Sequence, residues 1–196
     1  ITAKPLTLAP TVTDKVYDGT TIATVKDFGL SGFVTGEVVG ATAASALFEN
    51  KDVGVGKNVA LSGIALADGT GLASNYSAPV TSNTTGAIEV RPLSTWVGPA
   101  AGLWSNAGNW DASPDGTNVQ AVSIPAGANV VYDAAVGNTT LQSLASAGTF
   151  GLSGGSLTVT QAVDTAQFSQ TGGALDGAGS LTVTEGFSQS GGTVSM

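Results

Sequence analysis

A six-residue pattern recurs three times near the end of the chain and leaves few folds open to it. Phe150-Gly-Leu-Ser-Gly-Gly155, Phe168-Ser-Gln-Thr-Gly-Gly173 and Phe187-Ser-Gln-Ser-Gly-Gly192 share one arrangement: Phe, any residue, Leu or Gln, a hydroxyl, then two glycines. The copies lie 18 and 19 residues apart. After each Gly pair comes one small residue and then an apolar one, Leu157, Leu175 and Val194. A unit this short cannot bury its apolar side alone, so copies must stack and share a core, Phe above Phe and Leu above Leu. The Gly pairs suit corners where φ turns positive or backbones approach closely. In Ser156-Leu-Thr-Val-Thr160, which returns intact as Ser180-Leu-Thr-Val-Thr184, Leu and Val alternate with Thr, as a half-buried strand requires. Strands with Gly corners at this period predict a right-handed parallel β-solenoid with rungs of about 18–20 residues. Leu141 to Thr149 is a weaker preceding rung, and the last rung stops partway, at Met196. An unfinished rung presents an unpaired edge, so weak self-association through the open solenoid end is expected.

The first half reads differently. All six basic residues, Lys4, Lys15, Lys26, Lys51, Lys57 and Arg91, precede Pro92, together with eight of the fourteen acids, for a net charge of −2. From Pro92 onward there are six acids and no Lys or Arg, for −6. That asymmetry places a boundary at Arg91-Pro92 and predicts two domains, residues 1–91 and 92–196. A second signal marks it: Ile1-Thr-Ala-Lys-Pro-Leu-Thr7 recurs in type as Ile88-Glu-Val-Arg-Pro-Leu-Ser94, like the linkers between tandem modules. Within residues 1–91, alternating or β-branched runs at Leu6–Val12, Thr20–Val25, Val34–Val39 and Asn58–Leu66 read as strands, and Ala41–Asn50 as a short helix. Several short strands in about ninety residues suggest a small β-sandwich. The fold class expected is therefore all-β, a sandwich module followed by the start of a solenoid, with residues 92–125 as a capping lead-in.

Absent residue types narrow the chemistry. The chain has no Cys and no His, which removes disulfides, thiolate metal sites and the commonest general base and transition-metal ligand. No signal peptide opens it, and no apolar run is long enough to span a membrane as a helix. With no basic patch and no phosphate loop ending in Lys, neither nucleic acid nor a membrane surface is an expected partner.

Lys15-Val-Tyr-Asp-Gly-Thr-Thr21 resembles the YDG module, found in tandem in filamentous-haemagglutinin-like exoproteins and other giant bacterial surface proteins. Lys4-Pro5-Leu6 before it, and Leu72-Ala-Ser-Asn75-Tyr76 and Ile88 after it, resemble the module's flanks, so the likeness covers residues 1–91. Trp104-Ser-Asn-Ala-Gly-Asn109-Trp110, followed by Val122-Ser-Ile124, is similar to the lead-in to β-helical stretches of the same proteins. The resemblance implies export, often by two-partner secretion, to the outside or the cell surface. It also implies a role in adhesion, aggregation or biofilm formation, with neighbouring modules as partners and no catalytic residue.

Candidate sites follow from residue chemistry. Asp18-Gly19 reads as a hairpin turn with Tyr17 packed across it. Trp96, Trp104 and Trp110 either seal the first rung or its junction with the module, or form a platform for a polysaccharide or host glycan, since indole faces stack on sugar rings. The acids after Pro92 are scattered and have no basic partner, so no enzyme and no cofactor is expected. Leu175-Asp-Gly-Ala-Gly179 is similar to calcium-binding Gly-Asp repeats, with an ordinary Asp-Gly turn as the competing reading. Asn75, Asn83 and Asn138 each open an Asn-X-Ser/Thr acceptor pattern.

Overall fold

The computed structural model of the protein describes residues 2–196; Ile1, which opens the first copy of the linker-like heptapeptide, lies outside them. It is all-β, with single 3-10 turns at Ala73–Asn75, Ala107–Asn109 and Ala134–Val136. The chain divides into two compact units. One runs through Val16 and resumes from Thr20 to Glu89; the other is Val90–Met196 together with Tyr17–Gly19.

The first unit is built from short pieces. Its strands are β1 (Lys4–Pro5), β2 (Thr11–Thr13), β3 (Lys15–Val16), β4 (Thr24–Asp27), β5 (Gly40–Thr42), β6 (Ser45–Phe48), β7 (Gly54–Ser62), β8 (Ala65–Ala67), β9 (Tyr76–Ser77) and β10 (Thr81–Glu89). A four-stranded sheet in the order β3-β10-β7-β6 forms the centre, and β1-β9, β2-β4 and β5-β8 form separate two-stranded ribbons. Gly86 of β10 leaves room for Val12 of β2 and the Phe48 ring, which is where the β2-β4 ribbon covers the sheet. In β7, Lys57, Val59 and Leu61 point into the core while their neighbours face out, the alternation of a strand covered on one side. Leu6, Val39 and Tyr76 form a second buried cluster, where Phe33 meets Tyr76 edge-on at 5.9 Å.

Several local readings of this unit are corrected. Ala41–Asn50 is not a helix: β5 and β6 occupy it and pair antiparallel with β8 and β7. Its Ala, Leu and Glu residues favour a helix, and pairing with distant strands overrides that preference. Val34–Val39 forms a turn and coil rather than a strand. Asp18-Gly19 does not close a tight hairpin, because β3 before it runs parallel to β10 while Thr21 accepts from the Phe48 amide.

The second unit is a β-solenoid with three faces. Its strands are β11 (Arg91–Thr95), β12 (Ala101–Leu103), β13 (Val119–Ile124), β14 (Asn129–Tyr132), β15 (Asn138–Leu152), β16 (Ser156–Gln170), β17 (Ala174–Asp176), β18 (Ser180–Gln189) and β19 (Thr193–Ser195). All pair parallel. On the first face Ser94, Val122, Leu144, Val163 and Leu181 stand in register. On the second the register runs Val130, Phe150, Phe168, Phe187. On the third it runs Thr139, Leu157, Leu175, Val194. The expected stacking of Phe on Phe and Leu on Leu is thus present. The two Ser-Leu-Thr-Val-Thr copies do not stack, however: Ser156–Thr160 lies on the third face and Ser180–Thr184 on the first. Their identity reflects a shared strand chemistry, not a shared place in the rung.

The Gly pairs form a corner. Gly155, Gly173 and Gly192 have φ of 74°, 73° and 77°, and an added Cβ on Gly173 would lie 2.8 Å from the Gly155 carbonyl oxygen. Gly137, at φ 76°, is the same corner one rung earlier, accepting from the Ser156 amide as Gly155 accepts from Ala174. The segment read as a weak rung is therefore part of a full one, β15.

Candidate functional site

The lead-in to the solenoid holds the aromatic cluster. Trp96 follows β11, Trp104 follows β12, and Trp110 ends the 3-10 turn Ala107–Asn109 that comes after β12. Asn106 starts that turn by accepting from the Gly108 amide, and Asn109 donates its side-chain amide to the Leu103 carbonyl. Gly98 and Gly102 are small because Asn109 and the Trp96 ring lie against them. Asn106, Asn109, Gly98 and Gly102 thus each have a local structural task.

The three indoles are buried, 3%, 1% and 5% exposed for Trp96, Trp104 and Trp110. Trp110 meets Trp96 edge-on at 5.1 Å and Trp104 at 4.7 Å. All three ring N–H groups are taken at 2.9 Å: Trp96 donates to the Pro99 carbonyl, Trp104 to that of Pro114 and Trp110 to that of Trp104. Trp104 continues onto Tyr132 at 5.2 Å and Phe150 at 6.1 Å, and the series extends through Phe168 to Phe187 at 5.8 and 5.5 Å. The cluster is the head of the solenoid's aromatic column. Stacking on a sugar needs an open ring face, and Trp96, Trp104 and Trp110 present none.

Asp111 ties this lead-in together. Its carboxylate accepts from the Arg91 guanidinium at 2.7 Å, from Ser94 Oγ at 3.0 Å and from the Thr95 amide at 2.9 Å. Partial burial pushes its pKa up, and these donors together outweigh that and hold it below the usual carboxylate value. Sequence reasoning passed over Asp111 because its partners lie sixteen to twenty residues upstream, with no motif to join them.

The structure gathers few other charges. Asp164 and Asp176 face outward on different faces of the solenoid, and Asp176-Gly177 is a corner whose glycine packs on the Val159 carbonyl. Among the described residues no group of three or more Asp and Glu is placed to hold a metal ion. A groove of about 530 Å³ in the first unit is lined by Ile22, Val25, Phe28 and Leu47 among small residues, with no titratable side chain. Another of about 440 Å³, beside Lys4 and Asn75, contains one carboxylate, Glu37. Glu37 accepts the Tyr76 hydroxyl at 2.6 Å, and this bond, with burial, holds the phenol above its ordinary pKa. Asn75, Asn83 and Asn138 are all exposed, in a 3-10 turn, within β10 and at the start of β15.

Residues 2–85 match the YDG domain family. The YDG match spans most of the first unit and stops before the solenoid. No curated protein and no solved structure matches the chain. Within the YDG domain, the tripeptide Tyr17-Asp18-Gly19 stands apart, because the compact unit that contains it is the second one.

Proposed function

We propose that this chain is a non-catalytic spacer-and-stalk segment of a large secreted bacterial surface adhesin of the filamentous-haemagglutinin-like type. The YDG domain acts as a modular spacer and the solenoid as a stiff rod that holds a distal binding region away from the cell. Attachment, aggregation or biofilm formation is then the work of the whole protein, with neighbouring modules as this segment's partners. The observation that carries the reading is the aromatic column of Trp104, Phe150 and Phe168, which gives successive rungs one continuous core, with the more exposed Phe187 stacked on its end. The net charge of −8 favours solubility of such a rod. The Trp platform needed for glycan binding has no open ring face, which favours the spacer.

Pulling the chain between its ends tests the mechanical role. A stalk yields at the solenoid in successive steps, each releasing about one rung of 18–20 residues, or about 60–70 Å of extended chain. Smooth extension at negligible force would remove the basis for a load-bearing role.

A further inference from the structure

The turn Ser113-Pro-Asp-Gly116 is held by two aromatic donors. Trp104 donates its indole N–H to the Pro114 carbonyl at 2.9 Å. The Tyr17 hydroxyl reaches the Ser113 carbonyl at 3.1 Å and Asp115 Oδ1 at 2.9 Å, sharing one proton between them. Asn118 Nδ2 donates to the same Asp115 oxygen at 2.7 Å, which fixes the carboxylate in the direction of the phenol. The Asn118 carbonyl in turn accepts from the Arg91 amide at the start of β11, and Gly116 pairs with Thr139 on the solenoid's third face.

Tyr17 is 0% exposed, while Val16 and Asp18 beside it are exposed. The tripeptide therefore inserts a single ring. Gly19, at φ 80°, allows the backbone to turn away directly after it. Tyr17 is also absent from the buried cluster of Leu6, Val39 and Tyr76.

We propose that the Ser113–Asn118 turn is a phenol-binding socket, and that Tyr17-Asp18-Gly19 is its ligand rather than a hairpin turn of the sandwich. The chemistry selects tyrosine. A backbone carbonyl and a carboxylate are both acceptors, so they require a donor at the end of a flat apolar ring, and phenylalanine leaves them without it. The tripeptide that names the family is, on this view, a core element of the solenoid lead-in.

Exchange of the indole N–H of Trp104 in the intact chain, followed by NMR, tests the socket. Tyr17→Phe keeps the ring and removes the donor, and is expected to speed Trp104 exchange about tenfold. Tyr17→Ala should speed it further. The amides of Val59 and Leu61 in β7 should keep their protection in both variants. Asp115→Ala removes the acceptor of both Tyr17 and Asn118, and should speed Trp104 exchange at least as much as Tyr17→Phe. Unchanged Trp104 exchange in Tyr17→Phe, or equal acceleration in β7, would overturn the socket.

Discussion

In the solenoid a residue's neighbour in the next rung is its own counterpart, Phe168 beneath Phe150 and Leu175 beneath Leu157. In the YDG domain the pairs are unlike and distant: Lys4 stands beside Tyr76 and Lys15 beside Ile88. A period read from the chain converts directly into register where like stacks on like. Where partners are more than seventy residues away and differ in kind, the same reading finds strands but not their neighbours. The two regions also distribute their cores differently. The solenoid concentrates its burial in continuous columns, whereas the YDG domain divides its own among a sheet and three ribbons.

The sharpest way to break this comparison is to interrupt a column. Phe168 is 1% exposed and sits between two other rings, so Phe168→Ala should lower stability by about 3–5 kcal/mol. Urea unfolding followed by Trp emission reads it cleanly, since all three Trp lie in the solenoid unit. A loss under about 1 kcal/mol would mean that the column is not a shared core.

The corner is tested next. Gly173→Ala combines positive φ with a backbone oxygen in the way, and should cost about 2–4 kcal/mol by the same measurement. Gly127→Ala, at φ 78° with open space around its Cβ, should cost only about 1–2 kcal/mol. Equal effects would show that the corner is not closely packed.

A smaller effect should have the opposite sign. Ser146 lies in register between Ile124 and Thr165, and among the described residues its buried hydroxyl has no hydrogen-bond partner. Ser146→Ala removes an unpaired polar group, so a gain of up to about 1 kcal/mol is expected in thermal or urea unfolding.

The smallest expected change concerns pH. The folded pKa of Asp111 lies below its ordinary value, so the stability it contributes is full at neutral pH and is lost as pH falls through the acid range below about 4. Asp111→Asn should flatten that part of the stability profile. The ion pair with Arg91 is about a third exposed, so solvent screening keeps the effect below about 1 kcal/mol. An unchanged acid limb would remove Asp111 from the lead-in's network.

Legibility followed the same division. The solenoid, its Gly corners and its Phe and Leu columns could be read from spacing, because each is a local pattern repeated at the rung length. The Gly137 corner escaped because Val136, not a second glycine, precedes it. The split of the chain falls between Glu89 and Val90, next to the charge boundary, yet Tyr17–Gly19 sorts with the far side of it. Nothing in a tripeptide's own sequence shows that its ring is buried beside residues almost a hundred positions later. The aromatic cluster could be located but not interpreted, since exposed and buried Trp look alike in sequence and only neighbours such as Asn109, Gly98 and Gly102 decide between them.

Acrylamide quenching of Trp emission, with and without a panel of bacterial and host polysaccharides, tests the central claim most directly: that the lead-in is the packed head of a solenoid column. Emission should be blue-shifted, resistant to quenching and unmoved by every polysaccharide. Red-shifted, readily quenched emission that responds to one glycan would contradict the packed column and put Trp96, Trp104 and Trp110 at a binding surface.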